Sequence, residues 1–289
     1  MRFAIAAAIP LLAWALPAQA EIGDYPLREV ERPLVLVPGL AEFEARAGVA
    51  DVPGNYDADG RVARLGAGSV TSAAELEVAG RYGLFRAFEI SFRAPWTAAL
   101  ATKGGTTQSG SGRARLGIAW TPPATPGGAD VALEGALVMP TTARVLRTDA
   151  TGVVHHDRLA LAGSAGAKYR LAPDGAAHAL AGFVFPFANA DDRAADRNPP
   201  ATFFVVAGSL FQLTDQLHVD AAAGFTRTNR DRVAGGIVPR SDQFRVDLEP
   251  SIGFAPTRWY DLALRASIPV AGKNTPQAFD LQATARARF

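Results

Sequence analysis

The 289-residue chain contains no cysteine, so neither a disulfide framework nor thiolate chemistry is open to it. Past residue 20 it holds no apolar run approaching the ~20 residues of a membrane-spanning helix, so any crossing of a bilayer must be made by strands. An excess of one charge is also missing. Lysine plus arginine number 29 against 28 aspartates and glutamates, which leaves no basic surplus for nucleic acid and no acidic disordered tail. Long helical windows are absent too, because 28 glycines and 20 prolines are spread along the whole length and break each one. A chain of this size must then be held by burial or by a closed hydrogen-bond network.

What is present first is a leader. One charge, Arg2, precedes an apolar run from Phe3 to Leu16 and then Ala18-Gln19-Ala20, the layout of a signal peptide with its small-residue cleavage site. Pro10 and Pro17 interrupt a run already too short to anchor the chain. Cleavage before Glu21 removes Arg2 and leaves 28 cations against 28 anions.

The rest of the chain alternates. In residues 279–289, Phe279, Leu281, Ala283, Ala285, Ala287 and Phe289 are apolar, and Asp280, Gln282, Thr284, Arg286 and Arg288 between them are polar. A period of two makes a strand with one greasy and one wet face, whereas a helix would scatter the same residues. The same pattern places a first strand at Leu40–Ala50, with Glu42, Glu44 and Arg46 on its polar face. Eleven more follow, and their polar faces carry Glu75, Glu77 and Arg81 (second), Glu89 and Arg93 (third), Arg113 and Arg115 (fourth) and Glu134 (fifth). The sixth carries Lys168 and Arg170, the seventh His178, the ninth His218 and Asp220, the tenth Arg245, Asp247 and Glu249, and the eleventh Asp261 and Arg265. The eighth, Thr202–Leu213, is apolar on both faces, so its register stays open.

About twelve strands of nine to eleven residues match transmembrane β-strands and the even count of bacterial barrels. Short connections are expected after the even-numbered strands and longer polar loops after the odd ones, the eleventh included. With both termini in the periplasm, that parity puts the long loops outside the cell. Aromatics gather at strand ends: Tyr82, Trp120, Tyr169, Phe254, Trp259, Tyr260 and Phe289 at one rim, and Trp96, Phe187, Phe225 and Phe244 at the other. A soluble β-sandwich also alternates, but it buries apolar faces in a shared core and does not line one side of every strand with charges of both signs. The expected architecture is an all-β, antiparallel transmembrane β-barrel spanning 40–289, preceded by a signal peptide (1–20) and a periplasmic N-terminal segment (21–39). The charged and histidine residues named for strands two to eleven, with Arg286 and Arg288, are the expected lining of its lumen.

The terminal strand ending on Phe289 resembles the closing strand of bacterial outer-membrane barrels, in which the last Phe is part of the signal read by the barrel-assembly machinery. The hairpins share further wording. Tyr82-Gly83-Leu84-Phe85-Arg86-Ala87-Phe88-Glu89-Ile90, Phe211-Gln212-Leu213-Thr214-Asp215-Gln216-Leu217-His218-Val219 and Ala255-Pro256-Thr257-Arg258-Trp259-Tyr260-Asp261-Leu262 each introduce a strand. They resemble the Y-x-L-T-D-R-L-E-L hairpin of the MetA-pathway of phenol degradation family, as Arg32-Pro33-Leu34-Val35-Leu36-Val37-Pro38-Gly39 resembles that family's mature N-terminus. Phe85-Arg86-Ala87 departs from Thr-Asp-Arg in the first hairpin, and Gln216 from Arg in the second. The resemblance implies a proteobacterial outer-membrane transporter embedded in outer-membrane lipid, and it supplies no catalytic residues.

The expected function is therefore an outer-membrane channel for small solutes, hydrophobic or aromatic ones by analogy, with no cofactor. The alternatives are a plugged structural barrel whose inner charges neutralise one another, and an adhesion barrel acting through its outer loops. An outer-membrane enzyme is a weaker reading. A lipid-facing Ser–His pair is needed for phospholipase chemistry, and His178 and His218 fall on inward faces while His155 and His156 lie in a loop. Those two adjacent imidazoles point apart in an extended segment and make a poor metal site beside Asp157.

Overall fold

The computed structural model describes residues 25–66, 69–85, 87–102, 109–123, 128–140, 158–194 and 196–289. Residues 1–20, expected to form a leader, lie outside the described residues, as do His155 and His156. Twelve strands form the wall: β1 (Ala41–Tyr56), β2 (Val70–Phe85), β3 (Phe88–Thr102), β4 (Arg115–Trp120), β5 (Asp130–Val138) and β6 (Ala160–Ala172). They continue with β7 (Gly175–Pro186), β8 (Thr202–Gln212), β9 (Leu217–Thr228), β10 (Gln243–Phe254), β11 (Tyr260–Lys273) and β12 (Thr275–Arg288). Each pairs with its neighbours in sequence, and β12 returns antiparallel to β1 in a ladder running from Glu42 opposite Arg288 to Tyr56 opposite Thr275. Beyond the last rung, the Phe289 amide donates to Ala41 O and the Ala41 amide to Phe289 O, at 2.9 and 3.0 Å. The sheet closes as a twelve-stranded antiparallel barrel and leaves no open edge.

Alternation sets which face each residue takes. Large apolar side chains such as Leu76, Ile90, Leu116, Leu161, Phe203, Ile252, Leu264 and Leu281 are exposed on the outside, while Glu42, Glu89, Asp247, Asp261 and Arg288 are buried. A water-soluble sandwich would reverse this arrangement. Aromatic pairs stack along the rims, among them Phe88 with Trp120 and Phe225 with Phe244, at centroid separations of 6.5 and 6.3 Å.

Five even-to-odd connections are short turns at one end. At the other, long connections follow β1, β3, β5, β7 and β9. Two of these long loops are tied together: Arg197–Asn198 pairs with Arg232–Val233, which pairs with Gly236–Ile237. The loop expected after strand eleven is absent. The ladder runs further at both sides of that hairpin, with Phe244 opposite Lys273 and Tyr56 opposite Thr275, and a single residue joins β11 to β12. That residue, Asn274, takes φ 50°, a left-handed conformation that Asn tolerates, and its side-chain amide donates to Arg240 O and Asp242 O at 2.8 Å each. The fourth strand also starts later than its alternation implies, so Arg113 sits in its lead-in.

The eighth strand resolves with Phe203, Val205 and Phe211 outward and Phe204, Val206 and Leu210 inward. Its apolar inner face has a reason. Leu210 packs with Ala176 of β7 and with Val30, a residue of the N-terminal segment.

Candidate functional site

The residues before β1 enter the barrel at the short-turn end and cross its lumen. Residues 25–40 contain three prolines, Pro26, Pro33 and Pro38, that keep them out of the ladder, and only Glu29–Glu31 form a single 3-10 turn. Backbone groups left without sheet partners are met by the wall, as buried polar groups must be. The Leu36 amide donates to Glu89 of β3 at 2.8 Å, the Leu34 amide to Asp130 at the start of β5 at 2.5 Å, and the Gly39 amide to Gly83 O at 2.8 Å. Lys168 of β6 donates to Arg32 O, and Arg81 of β2 to Leu34 O at 3.3 Å. A Cβ at Gly83 would stand 2.1 Å from Val37 O, so only glycine lets this segment lie so close to the wall.

Arg32 is the segment's main anchor. It is 3% exposed, and its guanidinium grips Asp261 of β11 bidentately, Nη1 to Oδ2 at 2.6 Å and Nη2 to Oδ1 at 3.0 Å. Its remaining donors reach Glu29 at 2.5 Å, Pro26 O at 3.2 Å and Leu27 O at 2.8 Å, which folds the segment around it. Arg288 of β12 shares Asp261 and holds Glu42 of β1 at 2.8 Å. Both guanidiniums lie over the Tyr25 ring, 5.9 and 5.2 Å from its centroid. Burial alone would raise the Glu29 carboxyl, but Arg32 and Arg286 more than offset it and hold the group at about 2.

Above this plug, an interlocked series of ion pairs lines one arc of the lumen. Arg286 meets Glu44 at 2.6 Å, Arg46 meets Glu44 at 2.8 Å and Glu77 at 3.3 Å, and Arg93 meets Glu77 at 3.8 Å. Arg81 bridges Glu42 at 2.7 Å and Glu89 at 3.4 Å, and Arg115 meets Glu134 at 2.8 Å. Arg245 pairs with Asp247 at 2.7 Å, Arg265 pairs with Glu249, and His178 Nε2 lies 2.8 Å from Asp220. Arg170 reaches Glu31 of the plug at 2.8 Å, Arg113 donates to Arg158 O at 3.4 Å, and Glu75 occupies the polar face of β2. His218 lies beside the plug with its Nδ1 buried and unpartnered. Of the residues expected to line the lumen, Lys168, His178, His218, Asp220, Asp261, Arg265, Arg286 and Arg288, with Arg81, border one cavity. Arg46 borders it too, as do the plug's own Glu29 and Arg32; Arg46, with Glu42 and Glu44, was legible as the polar face of strand one.

Beside Glu134, Lys168 and His178, the inner face of β5 to β8 also carries an apolar arc. Ala136, Val138, Ala160 and Ala162 form a buried cluster with Val184 against it, and Leu180, Val206 and Leu210 continue it down to the plug. Between the two arcs lies a cavity of about 470 Å³, floored by Tyr25, Glu29, Arg32, Pro33 and Leu34. At the long-loop end Arg158 grips Asp192, 6% and 3% exposed, and ties the start of β6 to a short helix (Ala190–Ala194). Burial would raise Asp192, yet the hydrogen bonds from Arg158 hold it below the usual carboxylate range.

No protein-family model matches the chain, and no curated protein matches it in sequence. Its structure is similar to an outer-membrane channel from Pseudomonas putida F1, with a TM-score of 0.69 at 14% identity over 94% of this chain and 100% of that one. The NanC porin is similar with a TM-score of 0.53 at 6% identity, over 85% of this chain and 98% of the porin. The likeness is one of fold. What the chain does with that fold rests on its own lumen. Among the described residues no group of three or more histidines, aspartates or glutamates is placed to hold a metal ion.

Proposed function

We propose that this chain is an outer-membrane channel for small solutes whose periplasmic mouth is occupied by its own N-terminal segment. The observation that carries the reading is the closed barrel with an apolar outer face, a charged inner face and a cavity that ends on the plug. The leader-like residues 1–20 support export, and the termini at the short-turn end support a periplasmic location for the plug. The hairpin wording supports grouping the chain with the MetA-pathway barrels. A twelve-stranded wall encloses more space than an eight-stranded one, which side chains just fill, so room for solutes is expected around or behind the plug. Outer-membrane lipid would cover the exposed apolar band, and the assembly machinery would read the strand that ends on Phe289.

A structural barrel without transport is the second reading, favoured by the number of bonds that hold residues 28–40 in place. An enzyme is supported less well, because His178 and His218 face the lumen and pair or pack there, away from the lipid-facing wall. Liposome swelling with neutral sugars of rising size tests the choice. Size-limited swelling that exceeds empty liposomes supports the channel, and swelling equal to theirs supports the structural barrel.

A further inference from the structure

The cavity above the plug has two unlike walls. Seven cationic side chains line it against three carboxylates, Glu29, Asp220 and Asp261. Of the carboxylates that pair with Arg46, Arg81, Arg265 and Arg286, only Glu29, 4.0 Å from Arg286, is on its surface; Glu42, Glu44, Glu77, Glu89 and Glu249 are not. The ion pairs hold these guanidiniums in place, and each carries five N–H groups, more than its carboxylate partners take up.

Register groups Arg46 and Arg265 with Thr284 and Gln282, whose amide already donates to Asp280 at 2.6 Å. Arg46 of β1 stands opposite Thr284 of β12, and Gln282, two residues along β12, stands opposite Arg265 of β11. Arg46 and Arg265 thus flank β12 at two strand spacings and two residues apart along the strand, roughly 12 Å between their Cα atoms, with the side chains of Thr284 and Gln282 between them. The fourth neighbour, opposite Gln282 on β1, is Gly48, which adds no side chain to the space; a Cβ there would come 3.0 Å from Gln282 Cγ. Four and five strands away around the barrel from β12, β8 and β7 present Val206 and Leu180 to the same cavity.

We infer that this cavity is a binding site for small organic monoanions with an apolar body, of which aromatic monocarboxylates are the fitting class. The carboxylate sits between Arg46 and Arg265, where two like charges gain from an anion and where planar, bidentate donors match it. The ring lies against Leu180 and Val206. About 470 Å³ is within the ordinary range for a small-molecule site, roughly 300–1,000 Å³. The inference rests on the channel reading for the route by which such a solute arrives, but binding itself can be measured apart from conduction.

The experiment is calorimetric titration of the folded, detergent-solubilised full chain with benzoate, acetate, benzyl alcohol and benzylammonium, each against protein-free detergent. Benzoate is expected to bind at least tenfold more tightly than the other three. In Arg265→Gln with Glu249→Gln, which leaves the net charge of the barrel unchanged, benzoate should weaken about tenfold, the scale of one charged hydrogen bond. Leu180→Ser should weaken benzoate and leave acetate as it was. Equal binding of benzoate and benzyl alcohol, equal binding of benzoate and acetate, or a folded double variant with unchanged benzoate affinity would each overturn the site. Bilayer recording on the same protein separates the two ideas. Benzoate binding by a barrel that never conducts refutes the channel and keeps the site, whereas conduction without benzoate preference refutes the site alone.

Discussion

Arg32→Ala should release the plug while leaving the wall intact. The side chain is buried and spends its donors on Asp261, Glu29 and two backbone carbonyls. Breaking a buried pair costs about 3–5 kcal/mol when the partner charge is left uncompensated. Here Asp261 keeps Arg288, so the low end of that range, about 3 kcal/mol, is the appropriate figure. That energy belongs to docking of residues 25–36 and shifts the docked-to-undocked ratio by roughly two powers of ten. Asp261→Asn should cost more, because it takes a carboxylate from both Arg32 and Arg288, leaving them Glu29 and Glu42, and the second of these arginines is part of the wall. Two measurements read the effect: open probability in planar bilayers, and the rate of tryptic cleavage after Arg28 in the folded barrel. Both should rise by tenfold or more in Arg32→Ala, with heat-modifiable migration unchanged. A folded variant whose open probability and cleavage rate stay within twofold of the parent refutes the anchoring role.

Three further outcomes follow from the same structure. Leu264→Lys, on the outer face of β11, should destabilise by ~2–4 kcal/mol in lipid vesicles, and Ala263→Lys, on the inner face, far less; equal costs would contradict the facing of that strand. Deleting Phe289 removes the two bonds that join the terminus to Ala41, so outer-membrane levels of heat-modifiable barrel should fall while export continues, and unchanged levels would argue against an assembly role. Glu29 is lowered from 4.5 to about 2, so its contribution to docking is complete above the higher value and lost as pH falls toward the lower. Plug opening should accordingly be the same at pH 7 and pH 5 and increase only below about 4.5; a rise in open probability between pH 7 and pH 5 would contradict it.

Strand number and facing were readable because a barrel in lipid imposes its period of two on every span, and residues such as Leu281, Gln282, Ala283 and Thr284 obey it without exception. Where the lumen is not polar the signal failed. Phe204, Val206 and Leu210 face inward because they meet the plug and the apolar arc, so β8 carried no alternation to read. The plug itself had no period. Its folding inward depends on contacts far away in sequence, such as Arg32 with Asp261 and Leu36 with Glu89, and neither partner differs in type from any other lumen charge. The residues at the β11–β12 junction looked like a loop because Pro269, Gly272, Asn274 and Pro276 cluster there, yet the edges they pair with extend the ladder to a one-residue turn.

A solute pathway obstructed by residues 25–36 should open when they are removed. Planar-bilayer recording of the full chain beside a variant lacking those residues tests this most directly. The account predicts rare, brief openings in the full chain and sustained stepwise conductance in the shortened, heat-modifiable barrel. No conductance in the shortened barrel, or equal conductance in both, would contradict it.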